Sequence, residues 1–234
     1  MKYDPPLLPG VLLKRYKRFL ADIEMPDGTV ITAHCANPGS MLGLAAPSNA
    51  VLLSDSQNPK RKLQMTLELI DLGTSWVGVN THLANKLAEE AIRAGKILEL
   101  TGYAHIRREV KYGKNSRIDF LLEEEGRPPC FVEVKSVTLS RTEGLAEFPD
   151  SVTKRGAKHL DELSDQVRAG ARAVQLYVVQ RSDCREVRPA QDIDPEYASK
   201  LTQANQAGVE VMAQVCHITP EEIRINHAIP VVLT

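Results

Sequence analysis

The sequence predicts an α/β (α+β) protein in two parts: a small β-barrel, then a mixed sheet flanked by helices. Three observations carry this. Residues 10–79 read as short apolar strands separated by turn residues. Residues 80–97 change to a helical period. From residue 105 onward, strands alternate with helices. The 234 residues suit two small domains, placed here at 1–78 and 79–234.

The first part opens with "GVLLKRYKRFLADIEM", read as one strand, then the turn "PDG" and the strand "TVITAHCA". "NAVLLSDS", "RKLQMTLELIDL" and "SWVGV" follow. Five strands in about 75 residues fit an oligonucleotide-binding (OB) barrel. The second part starts with the helix "NTHLANKLAEEAIRAGKI", capped by Asn80 or Thr81 and ended near Gly95. With Leu83 and Leu87 as its apolar stripe, Glu90 falls about 20° from Leu83. Glu90 is therefore expected to face inward, and Glu89 to point elsewhere.

Strands at "HIRREVKYG", "RIDFLLE" and "CFVEVKSVTL" come next. A helix through Leu160, Leu163 and Val167 follows, with Asp150 or Ser151 as its cap. Strand "AVQLYVVQ", helix "PEYASKLTQANQAG", and strands "VEVMAQVCHI" and "RINHAIPVVL" close the chain.

Composition sets limits. The chain is 43% hydrophobic and 25% charged, which is ordinary globular material. A net charge of −1 means that any nucleic-acid site is a local patch. The four cysteines show no CxxC or zinc spacing, and reduced, partly buried thiols are expected. No apolar run reaches the ~20 residues that span a bilayer. A cytoplasmic protein that uses no membrane is expected.

The chemistry concentrates in "SRIDFLLEEEGRPPCFVEVKS". Glu133 and Lys135 are two apart on a strand and share a face, while Val132 and Val134 take the other. Asp119 lies on the preceding strand, and neighbouring strands run about 4.8 Å apart. Asp119, Glu133 and the backbone carbonyl of Val134 make a hard-oxygen site suited to Mg²⁺ or Mn²⁺. Lys135 could orient water or stabilise charge on a phosphate. Glu90 would complete the catalytic set. An ExK pair alone is commonly a surface ion pair, worth roughly 0–1 kcal/mol. The preceding Asp and the order of elements favour the site.

The pattern D…ExK in a helix–strand–strand–strand–helix–strand order resembles the core of the PD-(D/E)XK nuclease-like fold. "RYKRFLAD", "CANPGSM", "VGVNTHLAN", "RIDFLL", "FVEVKSVTL" and "FPDSVTKRGAKHLDEL" together resemble the sugar fermentation stimulation protein A family along nearly the whole chain. The resemblance implies an OB-like domain followed by a nuclease-like domain. It also implies DNA binding, with a regulatory link to sugar (maltose) metabolism. Lys154–Arg155 departs from the Glu–Arg more usual in that family and adds positive charge near the helix start.

Basic residues fit a DNA partner, single- or double-stranded. Read on one strand, Arg15 and Lys17 share a face with Phe19, and Lys14 and Arg18 share the other with Tyr16. Lys60, Arg61 and Lys62 form a second cluster in a loop, and Lys154, Arg155 and Lys158 crowd a helix start against its dipole. Arg155 and His159 are i, i+4 and share a helix face that would flank a scissile phosphate. A solvated basic strand edge is the competing reading. His34 and Cys35, before "NPG", read as part of a turn. The sequence reading settles on a DNA-binding protein linked to sugar metabolism. A Mg²⁺- or Mn²⁺-dependent nuclease is the alternative, and a structural ion pair with no nucleic-acid role is the third reading.

Overall fold

The computed structural model describes residues 1–233. Its first part contains β1 (Leu8–Tyr16), β2 (Leu20–Glu24), β3 (Val30–Cys35), β4 (Ala50–Asp55), β5 (Met65–Asp71) and β6 (Trp76–Gly78). They lie in the order β3-β2-β1-β4-β5-β6. A parallel pairing of β3 with β5, His34 to Thr66 and Cys35 to Leu67, closes the first five into a barrel of OB type. Leu12, Ile23, Ala33, Leu53 and Leu67 fill it, each with no solvent exposure.

The run 10–25 is two strands, not one. The chain reverses at Lys17 and Arg18, whose φ values are 48° and 62°. Neither is the glycine or asparagine that normally marks such a turn, so the sequence shows no break. The facial assignment of Arg15, Lys17 and Phe19 against Lys14, Arg18 and Tyr16 falls with it. Lys17, Arg18 and Phe19 form an exposed hairpin tip.

The second part runs α1 (Leu83–Arg93), β7 (His105–Tyr112), β8 (Ser116–Glu123), β9 (Cys130–Val137), β10 (Leu139–Thr142), β11 (Leu145–Phe148), α2 (Lys154–Arg168), β12 (Arg172–Val179), β13 (Glu186–Pro189), α3 (Pro195–Gln206), β14 (Glu210–Ile218) and β15 (Ile223–Ile229). Its main sheet has the order β15-β14-β12-β9-β8-β7. β12 runs parallel to β9 and β14, and the other neighbours are antiparallel. One face packs on α1 through Leu87, Val132, Val134 and Leu176. The other packs on α2 and α3 through Leu160, Leu163, Tyr177 and Leu201. β10, β11 and β13 make a small separate sheet that the sequence reading passed over.

α2 is capped by Thr153, whose hydroxyl accepts from Gly156 N at 3.1 Å, and not by Asp150 or Ser151. Asp150 instead accepts from Met41 N at 3.3 Å. The two parts meet through a shared core, where Leu52 and Leu69 of the barrel join the α1 cluster. A backbone bond from Gly78 N to Gln180 O (2.9 Å) adds to that seam. Residues 1–3 lie against the second sheet, with Lys2 bridging Glu222. All four cysteines are buried and unpaired. Among the described residues no helix is long and apolar enough to cross a membrane.

Candidate active site at a fork between two strands

β8 and β9 pair only at Phe120–Val132, Leu121–Phe131 and Leu122–Cys130. Beyond that point they part, and the Asp119 side chain takes over from the ladder. Its Oδ2 accepts from Val134 N at 2.7 Å, and its Oδ1 accepts from Asn85 Nδ2, on α1, at 2.7 Å. β9 stays braced on its other edge, where it pairs with β12 from Cys130 to Val137. Gln175 on β12 also donates to Glu133 O at 3.2 Å. The fork is therefore a rigid opening, made where one ladder stops and the other continues.

Glu133 and Lys135 do share a face of β9, in contact, with Nζ 2.6 Å from Glu133 Oε1. His159, 3% exposed on α2, bonds the same Oε1 through Nδ1. Arg155 Nε donates to His159 Nε2 at 3.3 Å. With Arg155 donating at Nε2, Nδ1 is left to donate to Glu133. Glu133 Oε2 is buried and has no hydrogen-bond partner among the described residues. Together with Asp119, Thr81 and His82, these groups line a cleft of about 280 Å³.

The two carboxyls differ electrostatically. Burial, and then the Glu133 charge, push Asp119 up to about 6. Burial also works to raise Glu133, but Lys135 and His159 outweigh it and hold that carboxyl below its ordinary value. Glu133 is thus an anion over the physiological range, while Asp119 titrates near its lower edge.

These groups fit a hard divalent cation. The unpartnered Glu133 Oε2 and the Asp119 carboxylate repel one another, and a cation between them would relieve both the repulsion and the missing bond. Among the described residues no three His, Cys, Asp or Glu side chains are grouped for an ion. Two carboxylates, completed by backbone and water, would suit Mg²⁺ or Mn²⁺ better than Zn²⁺. Val134 enters the site through its backbone.

Glu90 does not join this site. Its side chain is 44% exposed and pairs with the α-amino group of Met1 at 3.0 Å. The inward face of α1 is carried by Ala84, Leu87, Ala88, Ala91 and Ile92, with Leu83 packed at its edge. Glu90 lies about 120° round the helix from the centre of that face. Asn85, a turn earlier, supplies the helix's contribution.

The basic residues separate into groups. Arg155 and His159 are in the site. Lys158 is tied to Lys114 O (2.7 Å), Ser116 Oγ (3.1 Å) and Glu162 (3.4 Å), and Lys154 is exposed. Arg15 is no free cation for DNA. It donates to the carbonyls of Asn37 (2.8 Å), Gly39 (2.8 Å), Ser40 (3.2 Å) and Arg18 (3.1 Å), and so organises the loop after β3. Lys17 and Arg18 sit on the β1–β2 loop, and Lys60, Arg61 and Lys62 on the exposed β4–β5 loop. Arg61 donates to Thr66 Oγ1 at 3.3 Å.

Sequence reasoning missed Asn85, His82 and Gln175. "NTHLAN" marked a helix start, and nothing in it sets Asn85 apart from a capping residue. Gln175, fully buried in "AVQLYVVQ", was the one visible signal: an amide has no place in a β core without a partner.

A closed OB barrel joined to a mixed sheet whose fork carries D…ExK defines a two-domain protein with PD-(D/E)XK nuclease-like architecture. Residues 13–79 match the model for the SfsA N-terminal OB domain, and residues 82–222 match that for the sugar fermentation stimulation protein RE domain. The chain belongs to the sugar fermentation stimulation protein family. A homolog from Maricaulis maris is 57% identical over 234 residues, covering 100% of both chains. One from Paramagnetospirillum magneticum is 54% identical over 100% of this chain and 99% of its own. The structure of Pyrococcus furiosus SfsA in complex with Ca²⁺ superposes with a TM-score of 0.89, at 28% identity over 99% and 98% of the two chains.

Proposed function

We propose that this chain binds DNA and hydrolyses its phosphodiester bonds with a divalent cation held by Asp119 and Glu133. One observation carries the reading. A buried carboxylate, Glu133, and a half-buried one, Asp119, converge at a strand fork beside a lysine, and one Glu133 oxygen has no hydrogen-bond partner among the described residues. A passive binding module has no use for that arrangement. The Ca²⁺ of the Pyrococcus furiosus relative, which is a hard oxygen-seeking ion, supports it.

When bound, the cation would acidify a water and offset charge on the phosphate. The protein's own groups do the rest. Asp119 is oriented by Asn85 and Val134 N. Lys135 holds Glu133 and presents an ammonium to the developing negative charge. Arg155, on the wall of the cleft, is placed to bind a non-bridging phosphate oxygen. The exposed β1–β2 and β4–β5 loops of the barrel, with Lys17, Arg18, Lys60 and Lys62, are where OB folds take up nucleic acid.

Incubating single- and double-stranded DNA with Mg²⁺ or Mn²⁺ tests the proposal. Cleavage that disappears in an Asp119→Ala, Glu133→Ala variant supports it, and equal rates in the two proteins reject it. DNA binding without cleavage is the second reading, favoured by the basic barrel loops, which do not depend on the fork. The name shared by the relatives would then reflect a regulatory role in sugar metabolism. Retention of DNA by the cation-free protein in a low-salt gel shift, with no cleavage under any metal, would select it.

A further inference from the structure

A cavity of about 350 Å³ adjoins the catalytic cleft, and Thr81 and Ser136 line both. We infer that it receives one unpaired nucleobase, that of the nucleotide next to the phosphate held at the fork, so that the enzyme acts on single-stranded or frayed DNA. This inference rests on the nuclease reading of the fork and adds a substrate class to it.

The cavity is built by both domains. Its barrel wall is Asn37–Pro38–Gly39, which Arg15 holds through two of that segment's carbonyls. Its opposite wall is the 147–153 segment before and at the start of α2. Asp150 ties one wall to the other through Met41 N, and its carboxylate packs against Gly39, where a larger residue would have to displace it. The walls are therefore set before a ligand arrives.

Charge decides what fits. Glu147 and Asp150 both line the space. Glu147 is neutralised from behind by Arg141, but among the described residues Asp150 has no ion-pair partner. An acidic floor repels phosphate. The backbone of a bound strand would stay toward Arg18, which lines the cavity, and Arg155, which lines the adjoining cleft, and a neutral group would enter beside Asp150. Phe148 and Pro149 offer an apolar surface for a ring. Asp150 can accept from the exocyclic amino groups of adenine, cytosine or guanine, and the hydroxyls of Ser136, Thr138 and Ser151 serve either sense of hydrogen bond. Val152 and Leu42 stand at 65% and 52% exposure, one beside Ser151 and the other beside Met41. Such apolar side chains suit a strand whose bases are already unstacked. A base taken from an intact duplex would first have to be unpaired at a cost of a few kcal/mol.

The test uses the full-length protein in two arms. In the first, the four deoxynucleoside 5′-monophosphates, deoxyribose 5-phosphate and maltose are titrated while backbone amide signals are followed by NMR. Shifts at Thr138 and Ser151 with nucleotides, absent with the base-free sugar phosphate, are expected. Ser151→Trp, an exposed change at the rim, should remove them. No shift with any nucleotide, or shifts with maltose alone, would overturn the inference. In the second, cleavage in Mn²⁺ is compared between a single strand and the same strand with one abasic residue beside the cut. A drop of about tenfold is expected, matching the loss of one stacked base. Equal cleavage of both strands would reject the base pocket and leave the nuclease reading standing. Nucleotide shifts without any cleavage would leave the pocket and remove the catalytic reading.

Discussion

Asp119, one residue past the last pair of the β8–β9 ladder, accepts a 2.7 Å hydrogen bond from the backbone amide of Val134, two residues past it on the other strand. A side chain thus continues a strand pairing that the backbone has given up, and the gap it leaves is the cleft. The same bond fixes the aspartate's orientation toward Glu133. Fold and site are coupled at this point, because moving Asp119 would both loosen the fork and misdirect the carboxylate.

This coupling makes stability depend on pH through Asp119. In the folded protein its carboxyl is raised from 3.8 to about 6, so the folded state holds a proton that the unfolded chain has released. Its stabilising contribution is complete below pH 3.8 and is lost as pH rises to about 6. Asp119→Asn removes the titration. In EDTA, the stability of the variant relative to the parent should therefore rise by about 2–3 kcal/mol between pH 4 and pH 7.5, at ~1.4 kcal/mol per pH unit of that window. Urea denaturation at four pH values measures this, and a pH-independent difference contradicts it.

Asn85 and Glu90 make a matched pair of opposite expectations. Asn85 orients Asp119, its side chain's one hydrogen-bond partner among the described residues. Asn85→Ala should weaken Mn²⁺ binding by about tenfold, the usual scale for a group that orients a ligand. Glu90→Gln, on the far side of the helix, should leave Mn²⁺ binding unchanged. Calorimetric titration at pH 7.5 reads both, and equal losses would mean that the assignment of the helix contribution is mistaken.

Arg15 and the β4–β5 loop lysines are separated by the kind of effect they should have. Arg15→Ala unties four carbonyl bonds of the 15–40 region and should cost stability, about 2 kcal/mol, with little change in the salt dependence of DNA binding. Lys60→Ala with Lys62→Ala should leave thermal unfolding where it is. It should flatten the plot of log affinity against log salt by about 1.4 for a single strand, the value for two lost phosphate contacts. An Arg15 variant that is fully stable but flattens the plot would reverse the assignment.

The fold class was readable because the barrel strands and the α/β alternation follow simple periods, and Asp119, Glu133 and Lys135 because they are charges on apolar strands. Other features were hidden for definite reasons. The Lys17–Arg18 reversal uses residues with no turn signature, so one long apolar run masked two strands. The role of Arg15 depends on carbonyls 22 to 25 residues away, which no local pattern reveals. Glu90 was misplaced because Ala84, Ala88 and Ala91, which carry no strong apolar signal, centre the inner face of α1 away from the Leu83 edge. Asn85 acts only through the tertiary approach of a helix to a strand edge. Arg155 and His159 were legible as an i, i+4 pair, but the contact of His159 with Glu133 needs the packing of α2 on the sheet.

His159 and Arg155 allow the last distinction, between holding the site and touching the substrate. His159 is buried and bridges Glu133 to Arg155, so it is a positioning residue. His159→Ala would leave a cavity and remove a donor from a buried carboxylate, at a cost of about 2–3 kcal/mol. His159→Asn retains a donor and should recover most of that stability, and part of the cleavage rate with it. Arg155 is exposed, and its guanidinium has hydrogen-bonding capacity beyond the one bond to His159. Arg155→Ala should leave the melting temperature within about 2 °C while lowering cleavage tenfold or more, as for lost stabilisation of transition-state charge. Unfolding curves set beside single-turnover cleavage in Mn²⁺ separate the two roles. If Arg155→Ala lost stability in step with activity, its place at the phosphate would be refuted and the pair would be a structural link between α2 and β9.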